Sequence, residues 1–339
     1  MTGAAAEGSI ADQRKPRDLA SHAPTPPAVM FSRFSEPEEY VASLSLASAR
    51  FQTRLTSAYS ATVMRADFGG ITFGQGDASM AATVHGQISD RCVFILDTIP
   101  GPDRVLGGRV APFGTLYHPA SNDSYVSRST NAVSEWLSLS IPYHEIAAFT
   151  AALTGRDLTP PRSDALYART PEPALQRLIR LSGRIRRITE HDATRLTRPA
   201  AKRALSGLIG QALTACLLDG RLEPDLAAAG RHRRIMARLE EIGETNVHAP
   251  LTLAELCAAL GVNARTLRLI THEYVGMGPT QYLRMHRLNR VRRALAVADP
   301  RRASIGDIAA EYGFWESGRF AAFYRATFGE APTATLRRA

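Results

Sequence analysis

Cysteine is scarce and scattered: Cys92, Cys216 and Cys257 are odd in number and form no CxxC pair. That usage speaks against a disulfide framework and a zinc knuckle and suits a reducing cytoplasm. Long apolar runs are missing too. The longest candidate, residues 206–218, is broken by Gln211 and Thr214 and falls short of the roughly 18 residues a membrane span needs. No apolar core follows the first charges of the N-terminus, so no secretion signal is expected. Histidines at metal-ligand spacing are also lacking. His85, His118 and His144 stand singly, without an HxH or a following glutamate, and each is read as a surface or internally satisfied side chain. Serine, cysteine and acidic residues form no nucleophile signature either. The expectation is therefore no catalytic residue, no metal and no cofactor.

At 339 residues the chain has room for two folded units with connecting helices. The formal charge of +9 is unevenly spread. Residues 231–339 hold 17 basic and 10 acidic side chains, a balance of +7, whereas residues 1–230 hold the other 24 and 22, a balance of +2. Basicity thus concentrates where a polyanion would be met.

Residues 1–28, rich in Ala, Gly, Ser and Pro, read as a disordered leader. A first helix is expected over 36–49. From Ala61 to Ile141 short apolar runs such as Cys92-Val93-Phe94-Ile95-Leu96 alternate with turn signals at Gly69-Gly70, Gly101-Pro102, Gly107-Gly108 and Asn122-Asp123. This pattern predicts a small β-sandwich or barrel, cupin-like, with flanking helices. Helices are expected over 143–153, 173–189 and about 200–218. In the second, Leu175, Leu178, Ile179, Ile185 and Ile188 make a stripe suited to core packing or, as the alternative, to a dimer seam. Tyr117, Tyr125 and Trp136 are the candidates for lining an apolar ligand pocket, against the commoner role of aromatics as core. The expected division is 1–28 leader, 29–160 β-rich sensing or dimerisation domain, 161–230 helical connector with a dimer contact, and 231–339 DNA-binding domain.

The last third repeats itself. Residues 276–284 (GMGPTQYLR) return as 329–337 (GEAPTATLR), an offset of 53 residues (329 minus 276), and 252–261 (TLAELCAALG) is matched by 304–313 (SIGDIAAEYG). A unit this small is supersecondary structure. Thr252-x-x-Glu255 and Ser304-x-x-Asp307 each read as a capping box or its close variant, opening a short helix. Both helices end at a glycine, Gly261 or Gly313, where a left-handed residue reverses the chain. A small residue, Cys257 or Ala309, precedes each glycine by four, and a second helix follows at once. This is the pattern of helix-turn-helix, and the whole chain is α+β with an all-α C-terminal domain.

On the first follower helix Leu267, Ile270 and Tyr274 share one face while Arg265, Arg268, Leu269 and His272 share the other. Arginine in a major groove donates two hydrogen bonds to guanine, so Arg265 and Arg268 are the principal base-reading candidates, with Leu269 also assigned to bases and His272 to the DNA backbone. On the second, Phe320, Phe323, Tyr324 and Phe328 point inward and leave Gly318, Arg319, Ala322 and Arg325 outside. Arg319 and Ala322 are assigned to bases and Arg325 to phosphate, so the first helix is expected to discriminate more. Pro279 opens a long helix to about Ala296 whose apolar stripe is Tyr282, Met285, Leu288, Val291 and Leu295. Arg287, on another side of it, is assigned to the DNA backbone.

Arg265-Thr266-Leu267, Gly278-Pro279 through Leu283-Arg284, Arg287-Leu288-Asn289, Gly313-Phe314 and Phe328-Gly329 through Pro332 resemble the signature of the AraC family of bacterial transcription regulators. The likeness covers about 231–338. Family members often carry arginine where Leu269 and Ala322 stand here, so contacts at those two positions do not carry over. The run 313–320 resembles a subgroup with an AraC-binding-like N-terminal domain. The resemblance implies a cytoplasmic bacterial activator that binds double-stranded DNA as a homodimer, answers a small-molecule effector and meets RNA polymerase. The alternatives are a metal-dependent or hydrolytic cupin-like enzyme with a DNA-binding appendage, and an architectural DNA-binding protein without sequence preference.

Overall fold

The structure, a computed structural model, describes residues 29–44, 48–53, 59–79, 82–87, 91–120, 124–129, 133–224 and 227–338. The leader expected over 1–28 lies outside them. The N-terminal part runs β1 (Val29–Phe34), α1 (Pro37–Ser43), β2 (Ser48–Thr53), β3 (Ala61–Asp67), β4 (Thr72–Ala78), β5 (Ala82–Gln87), β6 (Cys92–Asp97), β7 (Arg104–Leu106), β8 (Arg109–Ala111), β9 (Thr115–His118), β10 (Ser124–Arg128) and β11 (Ser134–Ile141). There follow α2 (Tyr143–Thr154), β12 (Leu166–Arg169), α3 (Glu172–Asp192), α4 (Thr194–Thr197), α5 (Pro199–Leu218) and β13 (Arg221–Pro224). The C-terminal third is helical: α6 (Ala227–Thr245), α7 (Leu253–Leu260), α8 (Ala264–Val275), α9 (Pro279–Ala296), α10 (Ile305–Glu311), α11 (Ser317–Phe328) and α12 (Pro332–Arg337).

Among the described residues the strands form an eight-stranded sheet, β1-β3-β4-β11-β6-β9-β12-β13, and a five-stranded sheet, β2-β5-β10-β7-β8. The α+β class expected from the sequence is what the chain adopts. Side chains alternate across the large sheet: Met64 and Ala66 of β3, Phe94 and Leu96 of β6, Leu116 of β9 and Leu137, Leu139 and Ile141 of β11 enter one core. Val63, Ile95, Tyr117 and Trp136 point the other way, into two smaller clusters on the opposite face. Strands buried on both faces need apolar residues at every position, which is why 92–96 reads as an unbroken run.

Helices α2, α3 and α5 close the first core with Ile146, Leu175, Leu178, Ile185, Ile209 and Leu213. The α3 stripe is thereby core packing, with Ile179 and Ile188 partly buried against it. Arg177, Arg180, Arg184 and Arg187 stay exposed on the rest of α3.

Three expectations need correction. The helix expected over 36–49 stops with α1, because residues 48–53 enter a ladder with β5, Ser48 opposite Gln87 and Thr53 opposite Ala82. The segment 161–230, expected as a helical connector, also contributes strands. β12 pairs with β9, Tyr167 opposite Tyr117, and with β13, Ala168 opposite Leu222. Four-residue strands are too short to show a period in sequence. The expected boundary at residue 231 falls inside α6.

Candidate nucleic-acid interface

The C-terminal third holds two cores strung on one helix. Met236, Leu239, Leu256, Leu267, Ile270, Tyr274 and Tyr282 make the first, and Leu288, Val291, Leu295, Ala309, Phe320, Tyr324 and Phe328 the second. α9 gives Tyr282 to one and Leu288, Val291 and Leu295 to the other, so its position fixes both units at once. It opens, as the sequence suggests, with Pro279 at its first turn after Gly278.

In the first unit Thr252 caps α7 with a complete box. Its Oγ1 accepts from the Glu255 N–H at 3.3 Å, and Glu255 Oε2 accepts from the Thr252 N–H at 2.7 Å. The backbone hydrogen bond from Thr252, then its side chain, holds the Glu255 carboxyl below the usual carboxylate range. Gly261 ends the helix at φ 65°, and the chain turns into α8. Asn263 caps α8 through its side-chain oxygen, which accepts from the Thr266 N–H at 2.8 Å. Sequence reasoning passed over this cap, although Asn-Ala-Arg-Thr directly before an amphipathic stretch is a start signal.

The two faces of α8 separate as its wheel suggests. Leu267, Ile270 and Tyr274 are buried, while Arg265, Arg268, Leu269 and His272 are exposed, Leu269 by 54%. In the second unit Ser304 accepts from the Asp307 N–H at 3.2 Å, and Gly313 sits at φ 75°. A Cβ on Gly313 would lie 2.9 Å from Arg287 Nη1 and 3.0 Å from Pro250 Cδ, so the turn is closed by neighbours as well as by conformation. Phe320, Tyr324 and Phe328 stack edge to face along the inner side of α11, their centroids 5.6 and 4.7 Å apart. Gly318, Arg319, Ala322 and Arg325 are exposed, and Arg319 reaches Glu316 at 3.3 Å.

Arg287 is placed differently from its sequence assignment. Its guanidinium donates to the carbonyls of Tyr312 and Gly313 at 3.2 and 3.3 Å and lies 4.9 Å from the Phe314 ring centroid. Half-buried on the C-terminal end of α10, it ties α9 to the turn of the second unit instead of standing free for phosphate. Arg290 pairs with Glu244 of α6.

The N-terminal part docks on the far end of α8. A Cβ on Gly108, in the β7–β8 turn, would come within 2.2 Å of the Tyr274 ring, and one on Gly276 within 3.1 Å of Arg128 Nη1. Val126 of β10 joins the first core, and Arg292 of α9 donates to Glu36 Oε2 at 2.8 Å. This seam leaves the outer face of α8 open.

Of the candidate ligand-binding aromatics, Tyr117 and Trp136 do not converge. Tyr117 is buried against Tyr167 at 4.9 Å between centroids, and Trp136 Nε1 donates to Tyr40 Oη at 2.9 Å in a separate cluster. Tyr125 lies on β10 opposite Gly86. A cavity of about 10 Å³, room for one water, lies elsewhere, between Asp97, Arg104, Phe113, Ser129 and Glu135. Of the three histidines His144 is exposed and His85 lies on β5, whereas His118 is buried, its Nδ1 2.8 Å from the Val93 carbonyl and its Nε2 3.4 Å from Tyr143 Oη. Burial lowers the pKa of His118.

Residues 256–338 match the family model described as a helix-turn-helix domain. The chain is 31% identical over 146 residues to the probable thc operon regulatory protein of Rhodococcus erythropolis, spanning 40% of this chain and 43% of that protein. It is 34% identical over 101 residues to XylDLEGF operon transcriptional activator 3 of Pseudomonas putida, spanning 30% of each. The chain thus spans less than half the length of these two relatives. Among solved structures, a probable AraC family transcriptional regulator from Rhodopseudomonas palustris CGA009 is 30% identical with a TM-score of 0.29, over 31% of this chain and 97% of that one. With two capped helix-turn-helix units on one shared helix and relatives matching over that region, residues 256–338 form a helix-turn-helix domain of AraC type.

Proposed function

We propose that the chain is a sequence-specific regulator of transcription that reads double-stranded DNA through α8 and α11. One observation carries the reading: a capped helix that buries Leu267, Ile270 and Tyr274 and leaves Arg265, Arg268, Leu269 and His272 in solvent, in a unit repeated along α9. Two such helices on one strut suit successive major grooves about 34 Å apart on one DNA face. Arg265 and Arg268 donate to guanine O6 and N7, Leu269 and Ala322 meet thymine methyls, and Arg319 reads a base beside the start of α11. His272 and Arg325 contact phosphate and fix the register without selecting sequence.

The β-rich part, 29–160 with the helices that close its core, senses a small molecule, and copies pair as a homodimer in the cytoplasm. The two relatives above bear the names of an operon regulator and an operon activator, which favours activation through contact with RNA polymerase. The reading is tested by selecting bound duplexes from a random pool with the full chain at fixed salt, then comparing affinities for the selected and for random duplex. Enrichment of a defined site supports it, and equal affinity for all duplexes refutes it.

A further inference from the structure

Trp315 stands in the turn between α10 and α11 with 68% of its surface exposed. Its neighbour Phe314 is half-buried, stacked on Phe320 at 5.4 Å, so the same turn packs one aromatic and presents the next to water. The turn is braced. The Phe314 N–H donates to the Ala309 carbonyl at 3.0 Å, Arg287 donates to the Tyr312 and Gly313 carbonyls, and Gly313 holds a positive φ. An indole on a braced turn is presented at little entropic cost to a partner.

What lies beside it indicates which partner. Glu316, Ser317, Gly318 and Arg319 are all exposed, and the Glu316 carboxylate holds Arg319 at the start of α11. Residues 231–339 carry 17 basic against 10 acidic side chains, a surface suited to a polyanion. In helix-turn-helix docking the first residues of the second helix meet base edges, and the turn before them lies at the groove rim, over sugar and phosphate.

Building on the DNA-reading proposal, we infer that Trp315 is a backbone clamp of the second unit. Its ring covers a deoxyribose at the rim of the groove and its indole N–H donates to the adjacent phosphate oxygen. A neutral clamp of this kind adds affinity without reading sequence and without releasing a counterion. Glu316 is a positioning residue that aims Arg319 at the base next to the clamp. The second unit, whose outer helix face carries Gly318, Ala322 and Ala326 beside Arg319 and Arg325, is thereby anchored from its turn.

The test uses the full chain, its Trp315→Ala and Trp315→Phe variants, and two duplexes, one selected by the parent and one random, over a range of salt. Trp315→Ala is expected to weaken binding to both about tenfold, the scale of re-exposing part of an indole. The slope of log affinity against log salt should stay that of the parent, because no charge is removed. Trp315→Phe should fall between. Trp136 is the other of the chain's two tryptophans, so the emission lost in Trp315→Phe isolates Trp315, which should become shielded from acrylamide on adding duplex. Parent-like affinity in Trp315→Ala, or an indole as open to acrylamide in the complex as before, overturns the clamp and points to a protein partner for this side chain. A loss confined to the selected duplex also overturns it, in favour of a base contact. A parent that selects no duplex refutes the DNA-reading proposal before any variant is made, and the clamp with it.

Discussion

Arg268 and Arg287 look alike in the sequence, each an arginine facing away from an apolar stripe, and they end in different surroundings. Arg268 is exposed on α8, while Arg287 is half-buried and bonded to two carbonyls some 25 residues along the chain. A helical wheel tells which way a side chain leaves its own helix, not what another element brings to meet it. Replacing Arg268 with Ala should therefore cost about 1–3 kcal/mol on the selected duplex and far less on a random one. Equal losses, measured by equilibrium binding, would reduce Arg268 to a phosphate contact. Arg287→Ala should instead show in stability, by about 1–2 kcal/mol in denaturant titration, as two carbonyls lose their donor. His118 gives a pH dependence. Burial depresses its folded pKa below the ordinary 6.5, so the unfolded chain takes up the proton first and stability falls as pH drops below that value. His118→Gln should flatten the fall in thermal midpoint below pH 6.5 relative to the parent, and an unchanged slope would contradict the assignment.

At the scale of elements, the starts and stops of helices were largely legible, because they are written in neighbouring residues. Thr252 with Glu255, Gly261, Pro279 and Gly313 stand at the helix ends where local chemistry places them. Thr252→Ala should lower the stability of the first unit by about 1 kcal/mol. The capping glutamate adds an acid sensitivity with a defined sign: its folded pKa is lowered, so its contribution is present above the unfolded value and is lost as pH falls through the folded one. Glu255→Gln should remove that part of the acid dependence in a pH series of thermal melts. What local chemistry could not show was partnership between distant strands. Residues 48–53 and 166–169 are strands because β5 and β9 stand beside them, and nothing in six or four residues announces a partner that distant in sequence. Tyr117 and Trp136 fail to converge for a related reason: they leave one sheet face from β9 and β11, with β6 between them, and enter separate clusters, which only the strand order reveals.

At the scale of the whole molecule, the β-rich part touches the end of α8 farthest from its cap, through Gly108 against Tyr274 and Arg128 beside Gly276, while Glu36 holds Arg292 of α9. A change in the five-stranded sheet therefore bears on the helix assigned to DNA without covering its outer face. Gly108→Ala should force the β7–β8 turn away from Tyr274 and speed hydrogen exchange around 272–276, leaving the α7 cap amides as they were. Glu36→Gln should do so more weakly, and no change in either variant would mean the seam carries no coupling. The most direct measurement of the central claim is the duplex selection itself, made with the full chain and with Arg268→Ala and Arg319→Ala variants. The account predicts one enriched site with two short elements about 10 base pairs apart on one face, the element lost in Arg268→Ala being the more constrained. A pool without enrichment, or a site that neither variant alters, would contradict it.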